Sequence, residues 1–416
     1  MTERWLRWII VAVCLVVVVV AGFSLWASMR LARAQKAFHG SYAQLPPGLS
    51  LSERRPANGR ALQLEVAAAS LGLNWAPKTS ERFQAVASLI PEGSRKRWDE
   101  LRPVFSRWVE ENAGALAAAR APLPEEVKAF LAGHANDLAT VRELLLQGSL
   151  PQWEEDLTQG LAAPIPNLLA GLSVARLLVA DAFWRLENRD PATAEQDLLA
   201  VRRLGEALVA RSELISVLVG TAVNRLAVFS LRSLSRPSRE WLSWLEGTDF
   251  SRPLERALVA EAAIALRCPK DPEARGLLAH FSPWRRAACA AGAERIVALA
   301  TALRENPCLG KLDAEALRAS VGQAFREGDE IFGSPNLVHA LLRVASLNLH
   351  AALTWQALAA RMGENTPHPG DLTVARGPCR GVVLHVRQEE TSWIWSWPGS
   401  APELPKNLQA FRVVWP

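Results

Sequence analysis

The sequence lacks the short motifs that mark most metal-dependent, nucleotide-binding and nucleophilic enzymes. Its five cysteines form no C-x-x-C pair, and its seven histidines form no H-E-x-x-H or other metal-ligand spacing. A Walker A loop, a G-x-G-x-x-G fingerprint and a G-x-S-x-G elbow are also missing. These absences argue against an enzyme without excluding one. We expect no metal and no cofactor.

Lysine is scarce as well, because arginine supplies nearly all of the 47 basic residues. The codon bias of a GC-rich bacterial genome explains this preference without any selection for anion binding. A net charge of +5 is small for 416 residues and does not indicate a nucleic-acid partner. Since 50% of the residues are hydrophobic and only 21% are charged, the chain is able to bury a core.

A long apolar run near the start is the clearest signal. The stretch from Trp8 to Ala27 contains no charged side chain. As a helix it rises about 30 Å, at roughly 1.5 Å per residue, which matches the hydrocarbon thickness of a bilayer. Tryptophans stand at both ends, where indoles prefer the headgroup region (Trp5, Trp8, Trp26). The run predicts a transmembrane anchor over residues 1–31.

A cleaved signal peptide is the alternative to this anchor. Its apolar region is about 7–15 residues long and ends in a small-x-small site. The run here is longer, and Leu25–Met29 is a poor cleavage site, so we favour the anchor. Basic residues flank both ends equally, and orientation stays open. We prefer a single-pass protein of the bacterial inner membrane with a periplasmic C-terminal domain, because a short tail before a first apolar segment usually stays inside.

Four cysteines follow the apolar run, an even number that fits an oxidising compartment. They are Cys268, Cys289, Cys308 and Cys379. A predicted helix separates Cys289 from Cys308 by more than about 20 Å, which is too far for a disulfide. Two connectivities remain. We prefer Cys268–Cys289 with Cys308–Cys379, because the first pair joins neighbouring ends of a helical hairpin.

The remaining chain predicts a mainly α fold in three parts. Residues 32–57 form a juxtamembrane linker punctuated by proline, residues 58–365 a helical domain, and residues 366–416 a small β tail docked on the helices. No 34-residue repeat is found, so an irregular helical bundle or array is expected. The predicted helices are Gly59–Trp75, Glu92–Asn112, Glu125–Gln147, Ile165–Glu187, Ala192–Arg211, Glu213–Ser233, Pro253–Arg267, Pro283–Arg304, Ala314–Glu327 and Asn336–Met362.

One predicted helix shows the pattern well. Asp190 is placed to cap its start and Pro191 to occupy its first position. Apolar residues then recur every three or four positions and predict one buried stripe: Ala194, Leu198, Val201, Leu204 and Leu208. The stretch Asp197–Val228, which begins inside this helix, resembles single-pass, helix-rich envelope proteins of GC-rich bacteria. In those proteins a similar helix pair follows an N-terminal anchor, and a strand-rich tail ends the chain. The resemblance implies no activity and no catalytic residues.

The helix Asn336–Met362 carries a possible polar site. Its apolar seam includes Asn348, which needs a hydrogen-bond partner if buried. His339 and His350 are three turns apart and share a face. They indicate either a polar site or, as we favour, histidines that are exposed or satisfied within the core.

The last fifty residues predict an antiparallel sheet of two or three strands. Trp393, Trp395 and Trp397 alternate along one of these strands and share a face. An exposed ladder of indoles would suit stacking on glycans or on a protein partner. The favoured alternative is a ladder packed on the helical body.

Two short basic patches also contain tryptophan, Trp284–Arg286 and Arg95–Trp98. Either would suit anionic lipid or glycan, although a solvated helix start is the favoured interpretation.

Together these features predict a membrane-anchored helical interaction or scaffold protein of the bacterial cell envelope, with a protein partner whose identity the sequence does not indicate. The alternatives are an envelope glycan-binding protein or hydrolase, and an accessory subunit of a secretion or transport machine.

Overall fold

Helices dominate the computed structural model, which describes residues 2–43, 49, 53–114, 120–267, 282–308, 335–363, 370–374, 377–389, 392–396 and 410–414. Small antiparallel sheets complete it. The predicted mainly α fold with an N-terminal apolar helix and a small C-terminal antiparallel sheet is confirmed. The predicted helix Ala314–Glu327 lies outside the described residues.

The helices are numbered along the chain. They are α1 Thr2–Ser41, α2 Gly59–Ser70, α3 Arg82–Ser88, α4 Ser94–Asn112, α5 Glu125–Gly133, α6 Ala135–Leu146, α7 Leu168–Glu187, α8 Pro191–Val209, α9 Leu214–Leu231, α10 Arg239–Gly247, α11 Ser251–Leu266, α12 Ser282–Glu305 and α13 Pro335–Arg361. A short 3₁₀ helix, Leu157–Ala162, lies between α6 and α7.

Several boundaries differ from the prediction. The linker prediction is wrong for residues 32–41, which continue α1, and for Arg54–Arg55, which form a short strand. The segment Glu125–Gln147 is two helices, because His134 leaves helical geometry at φ −115°. Helices α3 and α10 were not predicted, since a helix of two turns shows too few apolar repeats to be recognised.

Helix α8 begins and packs as its sequence indicates. The Asp190 carboxylate accepts a hydrogen bond from the Thr193 amide at 3.2 Å, and Pro191 is the first helical residue. All five members of the predicted stripe are fully buried. On the opposite face, Arg202 donates to Glu206 at 2.8 Å. The stripe faces α7 and α9, with which α8 makes extensive contact.

Two glycines allow α8 and α9 to approach closely. A Cβ atom on Gly220 would lie 2.7 Å from Val209 Cγ1 and 2.9 Å from Leu208 Cβ, and one on Gly205 would lie 2.2 Å from Asn224 Oδ1. All three distances are too short for a side chain at either glycine. The α8–α9 pair therefore depends on glycine at its crossing.

Helix α9 is apolar but central. By length and composition it could cross a membrane, as could Val13–Ser41 of α1. Yet α9 contacts α7, α8, α11 and α13, and more than half of it is buried. We assign it to the core of the helical domain. Helix α13 lies beside it and is buried along most of its length from Ala340 to Ala360.

Two separate sheets pair their strands antiparallel. The first joins β1, Arg54–Arg55, to β2, Glu155–Asp156. The second has the order β3-β4-β5-β6, with strands Gly370–Thr373, Val383–Glu389, Ser392–Ser396 and Ala410–Val414. It therefore has four strands instead of the expected two or three. The short strand β3 was missed because its four residues show no clear alternation.

A buried ion cluster joins three helices in the core. Arg142 of α6 donates from Nε to Asp197 of α8 at 2.5 Å and from Nη2 to Asp181 of α7 at 3.0 Å. Both aspartates are almost fully buried. Burial, and then the neighbouring Asp181 carboxylate, raise the pKa of Asp197 well above its usual range. Arg142 thus contacts two carboxylates that would otherwise be costly to bury, and Arg185 lies 3.5 Å from Asp181 as well.

We expect Arg142→Met to destabilise the fold by about 3–5 kcal/mol at neutral pH, because it leaves the buried Asp197 without a cation and Asp181 with only Arg185, 3.5 Å away. Acid should reduce this loss. A carboxyl group with a raised folded-state pKa holds its proton more tightly when folded, so its ionisation penalty is absent at low pH and grows as the pH rises through that pKa. Denaturant titration of the full chain in detergent, in acidic and in neutral buffer, measures both effects.

Arg202→Met is the matched control, because Arg202 is part-exposed and pairs with the more exposed Glu206 and Glu240. It should cost less than about 1 kcal/mol. Equal losses for the two variants would contradict a special role for the buried cluster.

Candidate functional site

The site that stands out is the junction between α1 and α12, where the apolar N-terminal helix meets the helical domain. Phe23 of α1 lies 6.1 Å from Trp284 at the start of α12, measured between ring centroids. Farther along both helices, Tyr42 lies under the guanidinium of Arg304, 5.2 Å from its ring centroid. Residue numbers increase in the same direction along both helices at these contacts, so the two helices run parallel.

Polar contacts fasten the junction between these aromatic ends. Arg286 donates to Ser28 Oγ at 2.9 Å, and Arg30 pairs with Glu294 at 3.2 Å. Gln35 donates to the Leu266 carbonyl at the end of α11 at 3.3 Å. The second half of α1 is therefore attached to two helices of the domain.

Small and aromatic side chains bury one face of this second half. Ala27, Ala34 and Phe38 of α1 are 0%, 4% and 5% exposed. Alanines of α12 are buried as well, including Ala290 and Ala293. Small residues on both helices let their backbones come close together, and Phe38 supplies the large apolar area at the junction.

An acidic and aromatic cluster ends the junction. Burial raises the pKa of Tyr42 and also the pKa of Glu255 of α11. Arg304 of α12 lies 3.9 Å from Glu255 and over the Tyr42 ring. The end of α1 is thus held by a cation that contacts a ring and a carboxylate together.

The first half of α1 is in a different environment. Its large apolar side chains from Val13 to Val19 are each at least 57% exposed. An exposed apolar surface of this length is unusual on a folded domain and marks contact with lipid or protein. Helix α1 is long and apolar enough to cross a membrane.

The predicted polar residues of α13 do not form one site. His339 is exposed, whereas Asn348 is 2% exposed and faces the start of α11. Its side chain accepts from the Phe250 amide at 2.9 Å and donates to the Pro307 carbonyl at 2.7 Å. Asn348 thus joins two chain segments, which is a structural role.

A cavity of about 20 Å³ lies beside Asn348, lined in part by Thr248, Trp355 and Val374. This volume is enough for about one water molecule. It is too small for a substrate or a cofactor.

His350 belongs to a cluster with α9. The guanidinium of Arg232 donates to its Nδ1 at 3.1 Å and to Thr354 Oγ1 at 2.9 Å. Burial, followed by Arg232 and Arg225, lowers the pKa of His350 well below its usual range, and burial lowers the pKa of Arg232 to about 10. A neutral imidazole that accepts a hydrogen bond is consistent with this arrangement. Its edge also contacts Phe229, 4.6 Å between ring centroids.

The tryptophan ladder is described only as backbone. Trp393 and Trp395 lie on β5 and pair across the sheet with Val413 and Phe411 of β6. Trp397 lies outside the described residues. The prediction that the three indoles form a binding face stays a prediction.

A disulfide ties the β tail to the helical domain. Cys308, just after α12, is bonded to Cys379, with 5.1 Å between their Cα atoms, and both are fully buried. This is one pair of the preferred connectivity. The other predicted pair, Cys268–Cys289, includes Cys268, which lies outside the described residues.

No group of three or more histidine, cysteine, aspartate or glutamate side chains that could hold a metal ion is present within the described residues. The chain matches no protein-family model, no curated protein and no solved structure.

The junction of α1 with α12 was missed from the sequence, because its partners are more than 250 positions apart. The sequence indicated the patch Trp284–Arg286 only as a candidate contact for anionic lipid or glycan.

We expect Phe38→Ala to loosen α1 from the domain. Truncation of a buried phenylalanine costs about 3–5 kcal/mol, and here the loss falls on a single helix junction. Amide hydrogen exchange over residues 30–41 should accelerate by about 100-fold or more if opening is local. Lys36→Ala is the control, because Lys36 lies within one turn of Phe38 on α1 but is exposed. Equal exchange in both variants would show that the buried ring does not hold the junction.

Proposed function

We propose that this protein is a membrane-anchored helical interaction protein of the bacterial cell envelope. The observation that carries the proposal is the continuity of α1, a 40-residue helix. Residues 13–20 expose apolar side chains, and its second half packs into the domain. Since a helix satisfies its own backbone hydrogen bonds, the same element suits both lipid and protein surroundings.

A rigid attachment distinguishes this arrangement from a flexible tether. The contacts of Ser28, Arg30, Gln35 and Tyr42 with α11 and α12 leave no loop between the apolar segment and the domain. The domain would therefore stand next to the bilayer in one orientation. Such placement suits a protein that presents a fixed surface to a partner in or near the membrane.

We place the domain in the periplasm. The Cys308–Cys379 disulfide supports this side, because disulfides persist in oxidising compartments and are rare in the cytosol. An inner-membrane location with the N-terminus inside agrees with this.

A fusion of alkaline phosphatase to the C-terminus tests anchor and orientation together, since this enzyme is active only after export. We expect an active fusion that stays in the membrane pellet after a carbonate wash. Val16→Arg with Val18→Arg should abolish both properties, because each arginine costs about 2.5–3.5 kcal/mol at the centre of a membrane helix.

Val66→Arg with Leu89→Arg is the matched control. These two side chains are 53% and 52% exposed on the domain, similar to Val16 at 59% and Val18 at 69%. Only a bilayer distinguishes the two pairs, so the control should keep activity and pelleting. An inactive parent fusion would contradict the orientation, and a parent fusion in the supernatant would contradict the anchor.

The interaction role predicts a protein neighbour for exposed apolar side chains on the domain. Leu169 at the start of α7 is 65% exposed and Ile215 at the start of α9 is 48% exposed. A benzoylphenylalanine photo-crosslinker at either position, in cells, should give adducts larger than the protein. The same probe at Glu125, whose side chain is 88% exposed and charged, is the control. Absence of protein adducts at both apolar positions would contradict the interaction role.

A further inference from the structure

The start of α12 lies at the level where the apolar segment of α1 ends. Phe23, near that end, contacts Trp284, and Ser28, just beyond it, accepts the hydrogen bond from Arg286. Phe23 precedes Ala27 by about 6 Å along the helix axis, at roughly 1.5 Å per residue. Because the two helices run parallel, the first turn of α12 faces the same way as the apolar segment. A membrane around α1 therefore places Trp284 at the boundary of hydrocarbon and headgroups.

Trp284 is exposed, whereas most tryptophan side chains that the structure describes are buried. Its side chain is 49% exposed. Among the tryptophan and phenylalanine side chains that the structure describes, only Trp26, at 44%, is also classed as exposed, and it lies on α1 at the same level. Phe23 stacks on Trp26 at 5.4 Å and contacts Trp284 at 6.1 Å between ring centroids. Three aromatic rings from two helices thus form one belt, and indoles favour the membrane interface.

The described residues of α1 and α12 beside this belt are mainly basic, although Arg30 pairs with Glu294 at 3.2 Å. Residues 282–293 of α12 and residues 21–41 of α1 contain basic but no acidic side chains. Arg286 bonds to the neutral hydroxyl of Ser28, so its positive charge stays at this surface. Arg30 lies over the Trp26 ring, 5.6 Å from its centroid. The first acidic residue along α12 is Glu294, more than two turns farther from the belt.

We propose that Trp284 and Arg286 form a second membrane contact of the folded domain, in which the indole enters the interface and the guanidinium binds the headgroup phosphate of an anionic phospholipid. The inference rests on the proposed anchor, because α1 sets the height of the belt. It holds for either leaflet and does not depend on orientation. It assigns a role to the patch Trp284–Arg286 that its sequence alone did not favour.

Photo-crosslinking of the full chain in vesicles tests this contact. The vesicles contain phosphatidylcholine and phosphatidylglycerol in equal parts, and benzoylphenylalanine replaces one residue at a time. We expect lipid adducts, seen by mass spectrometry, when the probe replaces Trp284 and also when it replaces Val17 of the apolar run. The probe at Leu169, which is more exposed than Trp284 but lies in α7, should give none.

The positions separate the two proposals. Lipid adducts at Val17 but not at Trp284 would overturn the second contact and leave the anchor standing. Absence of lipid adducts at both would overturn the anchor and the contact together. Adducts at Trp284 to a protein instead of a lipid would show that this surface binds a partner chain, which also contradicts the inference.

The charge is tested with the probe kept at position 284. Each basic residue near an anionic surface contributes about 1 kcal/mol, which is about fivefold in binding. Arg286→Gln should therefore lower the ratio of phosphatidylglycerol to phosphatidylcholine adducts by about fivefold. Lys96→Gln is the control, because Lys96 is 84% exposed on α4 and should leave the ratio unchanged. An unchanged ratio in the Arg286 variant would overturn the proposed binding of the phosphate.

Discussion

The packing of α1 against α12 is the interaction on which the rest of the structure depends. Ala27, Ala34 and Phe38 are buried in the same cluster of side chains, or next to it, that forms the core of the helical domain. Residues 13–20 of the same helix are exposed. Because an α-helix does not bend easily without proline or an inserted group, these buried contacts fix the direction of the apolar half relative to the domain. Without this packing, α1 would be a flexible tether, and its apolar residues would have no fixed direction relative to the domain.

The contrast between α1 and α9 shows why hydropathy alone does not assign a membrane segment. Both helices are apolar and long enough to cross a bilayer. Helix α9 differs in having neighbours on several sides, and Gly220 brings α8 almost into backbone contact with it. Its apolar surface is therefore satisfied by protein. The exposed valines of α1 have no such neighbours among the described residues.

Polar residues inside the domain hold elements together. Arg142 joins α6, α7 and α8 through two buried carboxylates, Arg232 joins α9 to α13, and Asn348 joins α13 to the start of α11. None of these groups faces a cavity large enough for a substrate. Their geometry specifies how helices align, which is a use of buried polar groups with good precedent.

Local patterns in the sequence determined much of this protein. The apolar run, the Asp190 cap and the stripe along α8 each depend on neighbours a few positions away, so their periodicity was readable. The helical linker 32–41 was misread, because residues such as Arg33 and Lys36 look solvated and only the buried face with Phe38 reveals a helix in contact. The seam of α13 predicted that Asn348 needs a partner but not that Phe250 and Pro307 supply it.

Tertiary structure alone decided which distant residues meet. Helical spacing places His339 and His350 on one face, but the position of α9 makes one a partner of Arg232 and leaves the other exposed. Likewise, Trp284 and Phe23 come together only because α12 lies parallel to α1. Periodicity states which face of a helix is buried; the partner on that face depends on the sum of all packing contacts, which no local pattern contains.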